Sequence, residues 1–126
     1  MNSISLKPDL NELYTLNEFI SNKLGKENFQ VNLIVEEIFA NIVSYSNTEF
    51  ITVNVEYDNP TLTIEFIDNG IEFNPLLKEN PDLPNTIEDA EIGGLGIFLS
   101  KELADELEYD YINGENHLKI IKKVEG

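Results

Sequence analysis

Hydrophobic residues recur at helical spacing in two segments of the N-terminal half. In the first segment, which follows Pro8-Asp9 and stops at Gly25, the apolar residues stand three or four positions apart. They are Leu10, Leu13, Leu16, Phe19 and Ile20. The second segment runs from Phe29 to Tyr45 and is apolar almost all round, which is typical of a buried helix. The pattern therefore predicts two helices, the second of them central to the core.

Alternating apolar and polar positions predict strands in much of the remaining chain. The predicted strands are 3–7, 50–57, 61–67, 107–112 and 117–124. Asp58-Asn59-Pro60 and Asn113-Gly114 supply compact turns, so the last four strands form two hairpins. Because helices and strands do not alternate strictly, the sequence predicts an α+β fold: a two-layer α/β sandwich with a mixed, mostly antiparallel sheet and helices on one face.

One long connection separates the two predicted hairpins. Residues 74–92 contain Pro75, Pro81 and Pro84 and little apolar periodicity, and an apolar helix follows from about Gly94 to Leu107. A connection longer than about 12–15 residues in a compact domain is usually functional or disordered. Residues 74–92 therefore form either a lid over a bound ligand, which we favour, or a passive surface loop.

Composition places the chain among globular proteins without cysteine. Its 126 residues fit a single domain over positions 1–126, and 41% of them are hydrophobic. The absence of cysteine excludes disulfides, thiolate metal sites and a cysteine nucleophile. No apolar run approaches the roughly 18 residues of a membrane span, and residues 1–5 lack the basic and apolar regions of a signal peptide. We therefore expect a cytoplasmic protein with no membrane partner.

Acidic residues dominate the charge. The chain has 24 Asp and Glu residues against 8 Lys and no Arg, which gives a net charge of −16. Proteins that bind nucleic acid need a basic surface, so that class is disfavoured. An acidic surface can steer basic partners, whereas a polyphosphate ligand would need an accompanying divalent cation.

Two polar residues interrupt the second predicted helix. Glu37 and Asn41 are four positions apart, which places them on one helix face, one turn from each other. Polar groups on a mostly buried helix need partners. Glu37 and Asn41 therefore either form a structural hydrogen-bonded pair or face a pocket, and their spacing alone does not distinguish the two.

Two glycine-containing motifs flank the long connection. Asp68-Asn69-Gly70 is either a plain turn or a place where the Asp68 carboxylate accepts a hydrogen bond from an exocyclic amine while Gly70 admits a flat ring. Gly93-Gly94-Leu95-Gly96 opens a helix, where unpaired N–H groups can bind phosphate, although it could also serve as a hinge. It has neither the Lys-Ser/Thr of a P-loop nor the glycine spacing of a dinucleotide fingerprint.

Together with Glu37-Ile-Phe-Ala-Asn41, these motifs resemble the boxes of the GHKL (Bergerat-fold) ATPase and kinase superfamily, which includes the histidine kinases. Their order and spacing agree over about residues 29–124. Within the superfamily, the chain is most similar to the anti-sigma factor serine/threonine kinases of the RsbW and SpoIIAB type. The resemblance implies a sandwich in which ATP lies between the second helix and the lid.

The resemblance also implies roles for individual residues. Asn41 resembles the metal ligand that holds Mg²⁺ against the phosphates, and Glu37 the catalytic residue that orients or deprotonates the attacking hydroxyl. Asp68 resembles the aspartate that specifies adenine, with Gly70 beside it. The implied phosphate-facing residues are Gly93, Gly94, Leu95 and Gly96. The implied cofactors are ATP and Mg²⁺.

The implied function is that of a Mg-ATP-dependent serine/threonine kinase, which phosphorylates a small antagonist protein in a partner-switching pathway. Its protein partner would be a sigma factor or an anti-anti-sigma antagonist, and relatives often form homodimers. Two departures favour an alternative, a nucleotide-dependent protein-binding switch without turnover. Glu72 replaces the second glycine of the usual Asp-x-Gly-x-Gly box, and the chain has no Arg to clamp the transferred phosphate. A module without nucleotide binding is the third alternative.

Two residues of the last predicted strand complete the interpretation. Lys119 stands near the position where relatives often have a threonine close to the adenine. The only histidine, His117, lies on the same strand, and we expect it to be a surface or half-buried strand residue without a catalytic or metal role.

Overall fold

The computed structural model describes residues 2–74 and 102–125. Within them, the chain forms five strands, two whole helices and a short 3₁₀ turn at Leu10–Glu12. In chain order, the elements are β1 (Ser3–Leu6), α1 (Leu13–Leu24), α2 (Phe29–Tyr45), β2 (Ile51–Asp58), β3 (Thr61–Asp68), β4 (Glu106–Ile112) and β5 (Glu115–Lys123). Both helices and all five strands lie where the hydrophobic pattern predicts them, within a few residues at their ends.

Local sequence signals set the facing ends of the two helices. Gly25, with a φ of 85°, ends α1 in the left-handed conformation that glycine adopts without a Cβ penalty. The Asn28 side chain accepts a hydrogen bond from the Val31 N–H at 3.0 Å and so caps the start of α2. A short connection from Gly25 to Asn28 therefore joins the two helices.

The five strands form one antiparallel sheet in the order β1-β2-β3-β5-β4. β2 and β3 form one hairpin, β4 and β5 form the other, and the pairing of β3 with β5 joins the two. Asn113 and Gly114 have φ values of 52° and 80°, as expected for Asn-Gly at a tight hairpin turn. In the β3–β5 register, Asp68 lies directly opposite Asn116. The end of β3 is thereby brought against the start of β5.

Both helices cover the same face of the sheet, and the core lies between these two layers. Alternate residues of the central strands are buried there: Ile51, Val53, Val55, Leu62, Ile64, Phe66, Leu118 and Ile120. From α2 come side chains that are at most 2% exposed: Ile34, Val35, Ile38 and Phe39. The predicted two-layer α+β architecture is confirmed, and every strand pairing within the described residues is antiparallel.

The predictions for the segment between the hairpins have different outcomes. The predicted third helix ends at Leu103, because β4 begins at Glu106 and takes Leu107 into the sheet. The prediction that this helix continues to Leu107 is therefore wrong. Residues 75–92 of the predicted lid and the glycine motif at 93–96 lie outside the described residues.

Candidate functional site

The candidate site is centred on Asp68, the last residue of β3. This residue is only 2% exposed, and one carboxylate oxygen, Oδ1, accepts three hydrogen bonds. The donors are the Ser46 hydroxyl, the Gly70 N–H at 2.9 Å and the Asn116 side-chain amide at 3.0 Å. We refer to these three donors as the carboxylate clamp. Within residues 2–74 and 102–125, no group donates to the second oxygen, Oδ2, which makes it the acceptor available to a ligand.

Gly70 lies directly against the C-terminal end of α2. A Cβ added at Gly70 would overlap the hydroxyl and carbonyl oxygens of Ser46 and lie 2.8 Å from its carbonyl carbon. The Ile71 N–H donates to the same Ser46 carbonyl at 2.8 Å. Packing against α2 therefore already requires glycine at position 70, independently of any flat ring beside it.

Further hydrogen bonds tie the connection between α2 and β2 to the turn after β3. The Thr48 hydroxyl donates to the side-chain oxygen of Asn69 at 2.7 Å and accepts from the Asn69 N–H at 3.1 Å. The same Asn69 oxygen accepts from the Glu49 N–H at 3.1 Å. These bonds fix the C-terminal end of α2 relative to the end of β3.

Asn116, at the start of β5, has all of its side-chain hydrogen-bonding positions filled. Its Oδ1 accepts from the Phe73 N–H at 2.9 Å and from the Tyr109 hydroxyl, and its Nδ2 donates to the Ile71 carbonyl at 2.7 Å as well as to Asp68. Burial raises the pKa of Tyr109 above its ordinary value, and nearby carboxylates raise it further against a backbone hydrogen bond that lowers it. The phenol therefore keeps the proton that it donates.

Glu37 and Asn41 lie on one face of α2, with Tyr45 one turn farther along. Asn41 is 1% exposed. Its side-chain nitrogen donates a hydrogen bond to the main-chain carbonyl of Glu37 at 2.7 Å and not to the Glu37 carboxylate. The Tyr45 and Phe73 rings pack with their centroids 5.6 Å apart. At about 1.5 Å per residue, Asn41 and Glu37 lie about 7.5 and 13.5 Å from Ser46 along the helix axis. The polar face thus begins near the carboxylate clamp and runs towards the start of α2.

The pKa of Glu37 is raised above the ordinary glutamate value of 4.5. Burial is the main cause, and the negative charge of the neighbouring Glu36 adds to it. Glu36 itself is exposed and accepts a hydrogen bond from the Asn17 side chain at 3.3 Å. A half-buried carboxyl with a raised pKa has the properties of a proton acceptor in catalysis.

The expectation that Lys119 lies near the adenine position is wrong. Side chains alternate along β5, so Lys119 lies on the sheet face opposite to Asp68, paired in register with Glu65 and Glu108. Asn116 occupies the position beside Asp68 instead. The β5 residue that contacts Asp68 is therefore Asn116, three positions before Lys119.

His117 also lies on the face away from the helices, as the alternation along β5 requires. Its side chain is 22% exposed, with its two ring nitrogens 3.8 Å from Glu65 and Glu115. The expectation of a half-buried strand residue is confirmed. Among the residues that the structure describes, no three His, Asp or Glu side chains are grouped so as to hold a metal ion.

Three polar residues of the candidate site are predicted from the sequence, and two further residues that donate hydrogen bonds to one of them are not. Glu37, Asn41 and Asp68 were identified by spacing and motif, whereas Ser46 and Asn116 belong to no motif. A sequence signal exists for Asn116, because the alternation of β5 places a polar residue on the buried face. For Ser46, the sequence gives no signal beyond its position directly after the last residue of α2.

Comparison with known proteins identifies the family of the chain. A sequence profile of the histidine kinase-like ATPase domain matches residues 14–122, which include the candidate site. This chain belongs to the histidine kinase-like ATPase family. The family assignment implies that this histidine kinase-like ATPase domain binds ATP.

The chain is also similar in sequence to the serine/threonine-protein kinase BtrW of Bordetella bronchiseptica. It is 28% identical to this histidine kinase-like ATPase domain over 96 residues, covering 73% of this chain and 68% of the relative. The name of this relative agrees with the resemblance to serine/threonine kinases that the motifs indicate. In the described part of the chain, no helix is both long and apolar enough to cross a membrane.

Proposed function

We propose that this chain is a Mg-ATP-dependent serine/threonine protein kinase that phosphorylates a small antagonist protein in a partner-switching pathway. The observation that carries the proposal is the arrangement along α2. A carboxylate fixed by three donors lies at one end, and Asn41 and then Glu37 follow on one helix face. The relative BtrW is a serine/threonine-protein kinase, which supports the same activity.

In this proposal Asp68 recognises the base. A carboxylate oxygen can only accept hydrogen bonds while ionised, so it binds the exocyclic amine of adenine and repels the carbonyl that guanine carries there. Gly70 lies beside the base. The main-chain N–H groups of the glycine motif would contact the phosphates: Gly93, Gly94, Leu95 and Gly96.

Asn41 is the proposed Mg²⁺ ligand. Its side-chain nitrogen is bonded to the Glu37 carbonyl, which turns the amide oxygen away from that carbonyl. An amide oxygen is a ligand that Mg²⁺ accepts alongside phosphate oxygens and water. When bound, Mg²⁺ would neutralise phosphate charge, which is a particular need of a chain with a net charge of −16.

Glu37 is the proposed general base. The hydroxyl oxygen of the partner's serine or threonine attacks the γ-phosphorus, the bond to the β–γ bridging oxygen breaks, and ADP leaves. The Glu37 carboxylate receives the hydroxyl proton. Its raised pKa makes it a stronger acceptor than an exposed glutamate.

The proposed partners are proteins. They are the antagonist that receives the phosphate and a sigma factor that the chain would bind in turn. The acidic surface favours partners with basic surfaces and disfavours nucleic acid. We further propose that residues 1–126 act as one domain in the cytoplasm and that the chain forms a homodimer.

A nucleotide-dependent protein-binding switch without phosphoryl transfer is the second candidate function. The chain has no Arg, so it cannot itself supply a guanidinium that clamps the transferring phosphate. The exposed Glu72 adds negative charge two residues after Gly70. The two candidates share ATP binding and differ in turnover.

Calorimetric titration of the purified chain with Mg-ATP and Mg-ADP tests the nucleotide site. We expect saturable binding that Asp68→Asn weakens about ten- to a hundredfold, because the substitution removes a charged acceptor of the same size. Asp110→Asn, an exposed site on β4, makes the same chemical change away from the site and is expected to leave the affinity unchanged. The absence of binding at millimolar nucleotide would reject both candidate functions.

Incubation with γ-labelled ATP and antagonist proteins encoded beside this chain's gene separates the two candidates. Transfer of label to the antagonist supports the kinase. Nucleotide-dependent binding of the antagonist without label transfer supports the switch.

A further inference from the structure

We infer that Asn116 is a positioning residue for base recognition, which holds the Asp68 carboxylate so that Oδ2 is presented to the base. By fixing that oxygen, Asn116 sets the preference for a purine with an exocyclic amine over one with a carbonyl at the same position. The inference rests on the proposed nucleotide site and goes beyond it by assigning selectivity to a residue outside the recognised motifs.

The orientation of the Asn116 amide is determined by its main-chain partners. The Phe73 N–H can only donate, so the atom that it meets at 2.9 Å is Oδ1. The Ile71 carbonyl can only accept, so the atom that it meets at 2.7 Å is Nδ2. Nδ2 is therefore also the atom that faces Asp68 Oδ1 at 3.0 Å. Reversing the amide would break both main-chain hydrogen bonds.

Asn116 has no hydrogen-bonding capacity left for a ligand. Its Oδ1 accepts from Phe73 and Tyr109, and the two hydrogens of Nδ2 go to Asp68 and Ile71, which is the usual capacity of a side-chain amide. The residue is also only 3% exposed. Asn116 therefore acts on the base through Asp68 and not by touching it.

Ser46 acts on the same oxygen from the other layer of the fold. Its hydroxyl donates to Oδ1 of Asp68, and the residue is fully buried. With donors from both α2 and β5 on Oδ1, rotation of the carboxylate would cost hydrogen bonds, so Oδ2 keeps one direction. Removal of either donor weakens this restraint and lets the carboxylate tilt away from the orientation in which Oδ2 faces the base.

Binding of ATP and inosine triphosphate, measured side by side, tests the inference. Their bases carry an amine and a carbonyl, respectively, at the same ring position. We expect the wild-type protein to prefer ATP, and Asn116→Leu and Ser46→Ala each to lower the ATP-to-inosine-triphosphate affinity ratio about three- to tenfold. The ratio is the readout because general loosening of the site weakens both nucleotides alike. Ser46→Ala removes one donor only, so it decides the outcome if Asn116→Leu does not fold.

Tyr109→Phe is the matched control. It removes a hydrogen bond to Asn116 but none to Asp68, and it is expected to leave the ratio unchanged. In an Asp68→Asn background, Asn116→Leu is expected to change the ratio no further, because the two residues act through one interaction.

Three results would overturn the inference, and they are distinguishable. Folded Asn116→Leu or Ser46→Ala protein that keeps the wild-type ratio shows that the clamp does not set selectivity. Wild-type protein that binds ATP and inosine triphosphate equally refutes the inference together with base recognition by Asp68, but leaves the proposed binding of ATP standing. Wild-type protein that binds neither nucleotide refutes both.

Discussion

Replacing Gly70 with alanine is expected to destabilise the protein by about 3–5 kcal/mol, although the change adds a single methyl group. The new Cβ would overlap two oxygens of Ser46, one of them in the main chain at the end of α2. Relief requires the turn to move away from α2, which breaks the Ile71–Ser46 backbone hydrogen bond and disturbs the bonds to Asp68. Since domains of this size are stable by about 5–15 kcal/mol, a large part of the folding free energy is lost. Urea unfolding followed by circular dichroism measures it.

Gly25→Ala provides the contrast for this experiment. Gly25 has a positive φ of 85°, but a Cβ added there would meet no atom within 4 Å. The substitution is therefore expected to destabilise the protein only through backbone strain, by about 1–2 kcal/mol. Adding Ser46→Ala to Gly70→Ala is not expected to restore stability, because the carbonyl oxygen of residue 46 remains in the way. Equal losses for Gly70→Ala and Gly25→Ala would contradict the close-contact explanation.

Glu37→Gln is expected to reduce phosphoryl transfer about a hundred- to ten-thousandfold while ATP binding stays within a few-fold of wild type. The substitution keeps the size of the side chain and removes its ability to take a proton. It also leaves the main-chain carbonyl that binds Asn41 in place. Label transfer from γ-labelled ATP to the antagonist measures the first quantity, and calorimetry measures the second. Transfer that survives Glu37→Gln within a few-fold would exclude this residue as the base.

The raised pKa of Glu37 gives this prediction a pH dependence of known sign. Transfer needs the ionised carboxylate, so the rate should fall on the acid side at a pH above the ordinary glutamate value of 4.5. The free energy of unfolding depends on pH through the same group. Because the pKa of Glu37 is higher in the folded state than in the unfolded state, protonation of Glu37 stabilises the fold, and this stabilisation is lost as the pH rises through the folded-state pKa. Glu37→Gln should therefore be more stable than wild type at neutral pH, with the difference vanishing as the pH falls below 4.5.

Glu36→Gln is the matched control for the pH profile. The negative charge of Glu36 contributes to the raised pKa of Glu37, and Glu36 is exposed on the adjacent face. Its neutralisation is expected to retain transfer and to shift the acid limb to lower pH. A shift in the opposite direction would show that the two carboxyls do not interact as the structure places them.

The fold was largely predictable because hydrophobic periodicity determines which side of each element is buried. α2 begins and ends at the predicted residues, because apolar residues at helical spacing between Val31 and Ile42 are buried and the Asn28 side chain caps the start of the helix. The Asn113-Gly114 turn likewise fixed the second hairpin. The third helix was extended too far, because Leu107 fits the spacing of a helix as well as the alternation of a strand.

The residues of the candidate site were predictable only where they belong to a recognised motif. Asp68 and the pair on α2 follow from their spacing, but the donors that orient Asp68 come from other parts of the chain. Lys119 was placed at the site in error, since the decision depends on strand register. A shift of one residue in β5 exchanges the two faces of the sheet, and only the pairing of Asp68 with Asn116 settles which face each residue occupies.

The carboxylate clamp joins positions that are 22 and 48 residues from Asp68 along the chain. Such an acceptor exists only when α2, β3 and β5 have all assembled, so a partly unfolded chain cannot retain it. Nucleotide bound there would stabilise the entire fold. At a free nucleotide concentration of a hundred times the dissociation constant, it would add about 2.7 kcal/mol to the free energy of unfolding. The cellular supply of nucleotide would then govern how long each copy of the protein survives proteolysis.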